Sequence, residues 1–362
     1  MVSRTETRAE ALRLRGVFEA AGAQSVEMDI LQPAEVLLDL YGEDIRGRAH
    51  VTSDALRGEQ MLRPDFTVPV VQMHMDEGAE PARYTYAGEV FRQQEDAPNR
   101  ANQYLQVGFE VFDRANSAAA DAEVFSLIRK ALGNLPLRAA TGDIGLLMSA
   151  VAGLKTTDNR KAALMRHIWR PRRFRWLLDR FSGRLEVPET RAALLSADDP
   201  HLSGGPMIGL RSKSEIDARI DALREDAAVS LISDAEIDLI EALLSVRESL
   251  PVALERLRDI AVDMPAIEPA VERLALRVDA LEFRGEDVTD LDFEASYGRT
   301  SMEYYDGFVF GFYDQNRADL PPVATGGRYD ALTKVLGKGD AIPAVGGVIR
   351  PELLLGLERG EA

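Results

Sequence analysis

RYTYAGEVFRQQEDAPNRANQYLQVGFEVF, residues Arg83–Phe112, reads as two extended segments joined by a polar loop. In the second segment Gln103, Leu105, Val107, Phe109 and Val111 alternate with Tyr104, Gln106, Gly108, Glu110 and Phe112. A period of two assigns the apolar set to one face of a strand and Gln106, Gly108 and Glu110 to the other. Glycine between two polar residues removes a side chain where something else must fit. An amide and a carboxylate flanking that gap suit a small ligand bearing an ammonium group. The same pattern also describes an ordinary half-exposed antiparallel strand.

Composition limits what such a strand can belong to. With 362 residues, 46% of them hydrophobic and 28% charged, the chain has the balance of a soluble globular protein with one large core or two. No apolar run approaches ~18 residues, so no membrane-spanning helix is expected. The start, MVSRTETRAEALRLRG, lacks an apolar signal region and reads as the beginning of a helix. Cysteine is absent, which excludes disulfides and thiolate ligands and points to a cytoplasmic location. His50, His74, His167 and His201 lie far apart without metal-ligand spacing, and no cofactor is expected. A net charge of −17 works against a protein whose main task is gripping phosphate backbones.

The chain divides into three textures. Residues 1–140 open with an amphipathic helix, Leu12, Val17, Phe18 and Ala21 inward, and continue into strand-like runs. Residues 141–290 read as a helical insertion. Ser214-Glu215-Ile216-Asp217 and Ser233-Asp234-Ala235-Glu236 have capping-box form and lead into apolar spacings of three and four. Ile216, Ile220 and Leu223 make one stripe, Ile237, Ile240 and Leu244 a second, and Val271, Leu274, Val278 and Leu281 a third. Residues 291–362 return to strands and glycines. Tyr305, Gly307, Val309 and Gly311 share a strand face that leaves room above it, and Gly326-Gly327-Arg328-Tyr329-Asp330 reads as a turn entering a helix. Strand-rich ends around a helical insertion predict an α+β fold.

Four segments in order resemble the catalytic core of histidyl-tRNA synthetase, a class II aminoacyl-tRNA synthetase. LRPDFT at Leu62–Thr67 is similar to that family's LRPEGT. EVFRQQEDAPNRANQYLQVGFEVF stands where the family has motif 2, and MEYYDGFVF at Met302–Phe310 resembles its histidine-specific LDYYxGTVF. GGRYDALTKVLG followed by PAVGGVI corresponds to GGRYDxLxxxLGG and the opening of motif 3. The resemblance implies an antiparallel sheet of about six strands flanked by helices, and a dimer built through the region Ala21–Leu40. It also implies a histidine pocket. Asp65 and Thr67 stand where the family meets the α-amino group, while Gln106 and Glu110 match its ammonium- and imidazole-contacting positions. Tyr304, Tyr305 and Tyr329 line up with pocket tyrosines, and Arg92 is placed to meet a carboxylate. The set is chemically coherent, because carboxylates oppose an ammonium and phenols can donate to or accept from imidazole.

The departures carry the functional reading. The motif 2 Arg-x-Glu becomes Arg92-Gln93-Gln94, the arginine before the family's Asp-Tyr-Tyr becomes Thr300 with Arg299 one position off, and Leu353 stands at the motif 3 arginine. Removing one preorganised charge donor typically costs roughly 10²–10³ in rate, so adenylate formation is expected to be negligible. The chain runs only 15 residues past Gly347, so no anticodon-binding domain and no tRNA are expected. A synthetase core that holds histidine without activating it resembles the regulatory subunit of ATP phosphoribosyltransferase. That resemblance implies a non-catalytic protein in a hetero-oligomer with the short-form catalytic subunit, where it supports activity and histidine feedback in histidine biosynthesis. The competing readings are a truncated histidine-activating enzyme and a free-standing histidine sensor.

One segment lies outside the resemblance. MRHIWRPRRFRWLLDR, Met165–Arg180, concentrates six arginines, a histidine and two tryptophans in an acidic chain. It reads as a packed helix whose arginines pair with surplus acids, as a protein interface, or as a nucleic-acid contact.

Overall fold

The computed structural model describes residues 2–41, 47–93, 100–201, 205, 209–299 and 304–360. Gln94 and Thr300, two of the departures noted above, lie outside the described residues.

In chain order the first six strands are β1 Gln24–Ser25, β2 Leu31–Pro33, β3 Val51–Asp54, β4 Gly58–Leu62, β5 Ala82–Phe91 and β6 Gln103–Phe112. The others are β7 Leu137–Asp143, β8 Arg247–Ser249, β9 Asp292–Glu294, β10 Phe308–Asp314, β11 Ala324–Arg328 and β12 Ala344–Ile349. The main sheet has nine strands in the order β1-β5-β6-β12-β11-β10-β7-β9-β8. Its six central strands, β5 to β7 in that order, are antiparallel throughout, as the resemblance implied. The edges make it a mixed sheet, since β1 joins β5 and β9 joins β7 in parallel. These parallel registers are only two residue pairs long, too short to leave an alternation in the sequence. β2, β4 and β3 form a separate three-stranded sheet.

The region between β7 and β9 is a helical insertion of eight described α-helices, from Ile144–Gly153 to Glu268–Phe283, and it also returns β8 to the main sheet. Ser233 caps its helix as expected, with Glu236 reaching back to complete the box. The other box begins at Ser212 with Glu215, two residues before the expected Ser214. Val271, Leu274, Val278 and Leu281 are all buried. In the first helix, Arg4–Ala20, the buried stripe is Ala11, Leu14 and Phe18, while Leu12 points outward and is 56% exposed. A spacing of three and four from Phe18 selects Leu14 and Ala11, and Leu12 falls off that face.

One apolar core runs from the sheet into the insertion. Phe125, on the helix Ser117–Ala131, meets Phe308, Phe310 and Phe312 of β10 with ring centres 5.1–6.3 Å apart. Behind it lies a buried ionic cluster. Arg277 donates to Asp121 at 2.8 Å and to Asp143 at 2.9 Å, and Arg328 reaches Asp121 at 2.7 Å. These bonds tie the insertion's last helix to the sheet, and removing Arg277 would leave Asp143 buried without its ion pair.

Candidate amino-acid-binding cleft

From Gln106 to Phe112 both faces of β6 are covered, so this stretch is not a half-exposed strand. The gap at Gly108 is filled by protein. Tyr86 is the residue paired with Gly108 across the β5–β6 ladder, and its phenol lies where a Gly108 Cβ would sit. From there the Tyr86 hydroxyl donates to Glu110 Oε1 at 2.8 Å. Glu110 is in turn paired with Gly346 of β12, and its carboxylate occupies the space that a Cβ there would need. The same device recurs on β10, where Tyr297 lies against Gly311. These glycines seat tyrosines and a carboxylate, and the cleft lies beyond them.

Glu110 accepts two further hydrogen bonds, from Thr67 Oγ1 at 3.1 Å and from the Tyr329 hydroxyl at 2.6 Å. Burial pushes its carboxyl up to about 7, against the opposing effect of the three hydroxyl donors. The sequence reading set Glu110 toward the ligand. The structure places it behind Thr67 and Tyr329, fully buried, with its oxygens already engaged.

The other seven expected residues, Asp65, Thr67, Arg92, Gln106, Tyr304, Tyr305 and Tyr329, line a single cleft of about 610 Å³. They come from five places in the chain, Arg92 standing just after β5. Asp65 and Thr67 follow β4 and open the helix Thr67–Glu77, whereas Gln106 is on β6. Tyr304 and Tyr305 precede β10, and Tyr329 follows β11. Gly326 and Gly327 belong to β11 itself and are not the turn that was expected, because Cβ atoms there would strike the neighbouring strands. Tyr304 packs edge-on against Tyr305 at 5.0 Å and Tyr329 at 6.0 Å, forming an aromatic wall.

Two acceptors in this cleft lack partners. Asp65 Oδ1 takes the Val68 N–H at 3.3 Å, but Asp65 Oδ2 and Gln106 Oε1 have no hydrogen-bond partner among the described residues. Burial raises the Asp65 carboxyl, partly offset by the positive charge of Arg92. Unsatisfied buried acceptors are costly unless a donor arrives. An ammonium group, with three N–H donors and a positive charge, supplies what both lack.

The cleft also holds two arginines that the sequence reading missed, Arg100 and Arg350, in addition to the expected Arg92. Arg92 donates to the Pro64 carbonyl at 2.7 Å, Arg100 donates to the Asp319 carbonyl, and Arg350 donates to the Pro322 carbonyl; all three line the cleft. Leu353, at the expected arginine position, packs against the core. Arg350 stands just after β12 at the cap of the helix Pro351–Glu358, one residue before its first-turn proline. That placement at a strand end was the available signal. Arg299 lies in a turn and not on a strand. It points into the insertion, donating to the Ile168 carbonyl at 2.8 Å, with its guanidinium 4.9 Å over Phe174. Among the described residues there is no metal-binding cluster of His, Asp or Glu, and no helix long and apolar enough to cross a membrane.

A profile of the histidyl-tRNA synthetase family matches residues 3–354. The chain belongs to that family. Curated relatives named ATP phosphoribosyltransferase regulatory subunit, from Brucella ovis and Brucella abortus, are each 32% identical over 95% of this chain; 95% and 94% of their own lengths are covered. Those matches place it with the regulatory-subunit paralogues of the family. The fold agrees. A Bacillus halodurans structure titled as an ATP phosphoribosyltransferase regulatory subunit/histidyl-tRNA synthetase has a TM-score of 0.69 at 20% identity, covering 98% of this chain and 79% of its own. A histidyl-tRNA synthetase from Nostoc gives 0.64 at 18% identity, covering 99% and 73%. The class II synthetase-like sheet with its helical insertion is thereby established from both sequence and structure.

Proposed function

We propose that this chain is a non-catalytic regulatory subunit of an ATP phosphoribosyltransferase and that it binds free histidine in the cleft. The observation that carries the ligand assignment is the pair of buried acceptors without a partner among the described residues, Asp65 Oδ2 and Gln106 Oε1, on two residues that line one aromatic-walled cleft. The ammonium group of histidine satisfies both, the imidazole meets the phenols of Tyr304, Tyr305 and Tyr329, and the carboxylate faces Arg92. The regulatory relatives, aligned over nearly their whole length, support the role. The catalytic step belongs to a short-form catalytic subunit, with which this chain assembles, itself as a dimer, in the cytoplasm. Mixing the two proteins tests the reading. A hetero-oligomer is expected whose activity exceeds that of the catalytic subunit alone and whose inhibition by histidine requires this chain. A coupling of ~1–3 kcal/mol is of normal size for such an effect. Chains that neither co-elute nor alter each other's kinetics would leave a free-standing histidine sensor as the better account.

Arg92, Arg100 and Arg350 in the same cleft favour a second reading, histidine activation. It predicts histidine-dependent pyrophosphate exchange into ATP. The regulatory reading expects that exchange at background, and a clear rate with the purified chain would overturn it.

A further inference from the structure

The arginine-rich segment separates into two groups once its partners are traced. Arg175 pairs with Asp179 at 3.1 Å and Glu241 at 2.9 Å, and Arg180 with Asp226 at 3.0 Å, which is the plain packed-helix arrangement. Arg172 and Arg173 are exposed and, among the described residues, have no carboxylate within ion-pair distance. This is unusual in a chain with 60 acidic residues against 43 lysines and arginines.

Their position sharpens the point. Both stand in the first turn of the helix Pro171–Phe181, which carries no acidic residue there. The unsatisfied N–H groups of that turn form the positive end of the helix dipole, where cations destabilise and carboxylates stabilise. The helix therefore keeps two cations against its own electrostatic preference. Its apolar side, Phe174, Leu177, Leu178 and Phe181, is buried, which directs the arginine face outward.

We propose that this face docks an acidic protein surface and, resting on the regulatory reading above, that the surface belongs to the catalytic partner. Two observations favour protein over nucleic acid. Trp176 is 38% exposed, but the Arg173 guanidinium covers its ring at 4.2 Å, so that face is closed to a stacking base. The charge of −17 also repels a polyanion at long range, whereas a local acidic patch at contact distance is attracted. The turn before the helix is fastened to the cleft. Trp169 Nε1–H donates to the Tyr305 carbonyl at 3.0 Å, and the Ile168 carbonyl takes the Arg299 bond. A partner seated on this helix thus sits one residue contact from the pocket wall.

The test is the double variant Arg172→Glu/Arg173→Glu in the full chain, mixed with the short-form catalytic subunit and followed by analytical ultracentrifugation. Glutamates suit the first turn of a helix, so the thermal midpoint of the isolated variant should hold or rise, which separates docking from folding. At about 0.1 M salt the complex should weaken roughly tenfold or more, and the difference from wild type should shrink by about 1 M. A variant that assembles with wild-type affinity overturns this proposal alone. Wild-type chains that fail to assemble overturn the regulatory reading and this proposal with it. Salt-sensitive binding of a labelled single-stranded oligonucleotide, lost in the variant, would reassign the face to nucleic acid.

Discussion

Replacing Asp65 by asparagine should move binding and stability in opposite directions. Asp65 is only 3% exposed, one of its oxygens has no partner among the described residues, and burial raises its pKa. An ionised carboxylate held this way destabilises the empty protein, at a cost of about 1–3 kcal/mol for an unsatisfied buried group. Asparagine keeps the shape and the Oδ1 acceptor for the Val68 N–H while removing the charge. The free variant should therefore unfold later, with the midpoint raised by roughly 1–2 °C per kcal/mol gained. Histidine binding should fall, because a charged hydrogen bond is worth about 1.5–3 kcal/mol. That corresponds to roughly ten- to a hundredfold in affinity. Calorimetric titration with histidine, alongside urea and thermal unfolding of both proteins, measures the two effects. An analogue of histidine lacking the α-amino group should bind wild type and variant alike. Loss of stability in Asp65→Asn with unchanged affinity would refute the reasoning, since Asp65 would then be a structural carboxylate whose Oδ2 meets no ligand.

Two further substitutions probe the layer behind the cleft. The Glu110 carboxyl is raised from 4.5 to about 7, so the fold favours its protonated form; the stability it contributes is fully present below about 4.5 and lost as pH rises through 7. The whole span is about 3 kcal/mol, and Glu110→Gln should remove that part of the decline in urea titrations from pH 5 to 8; an unchanged slope would contradict the assignment. Asp306, raised to about 7 by burial and by Asp330, should retain its own share of the slope. Trp169→Phe removes the donor to the Tyr305 carbonyl and should cost about 1 kcal/mol of stability while weakening histidine binding a few-fold. Unchanged calorimetry would show that the insertion does not influence the pocket wall.

The alternation from Gln103 to Phe112 was legible because a strand's side chains have a fixed period, and it set Gln106, Gly108 and Glu110 on one face correctly. What occupied that face was not legible. Tyr86 lies in the same quoted stretch, but only the ladder register sets it opposite Gly108 and fills the gap reserved for a ligand. The position of Leu353 was read correctly as lacking a guanidinium, yet the cleft still receives Arg100 and Arg350, which lie 250 residues apart in the chain. Leu12 was set inward because apolar character alone does not say which of two adjacent stripes a helix turns to the core.

The sequence by itself determined the fold class, the helical insertion and seven of the side chains that meet in the cleft, since these rest on local periodicity and on motif order along the chain. Tertiary structure alone decided that Glu110 stands behind the cleft, that Arg100 and Arg350 join Arg92 in it, and that Arg172 and Arg173 have no ion-pair partner among the described residues. Each of these depends on which distant segments pack together. Burial, charge pairing and unsatisfied acceptors are properties of that packing, and no spacing within a single segment encodes them.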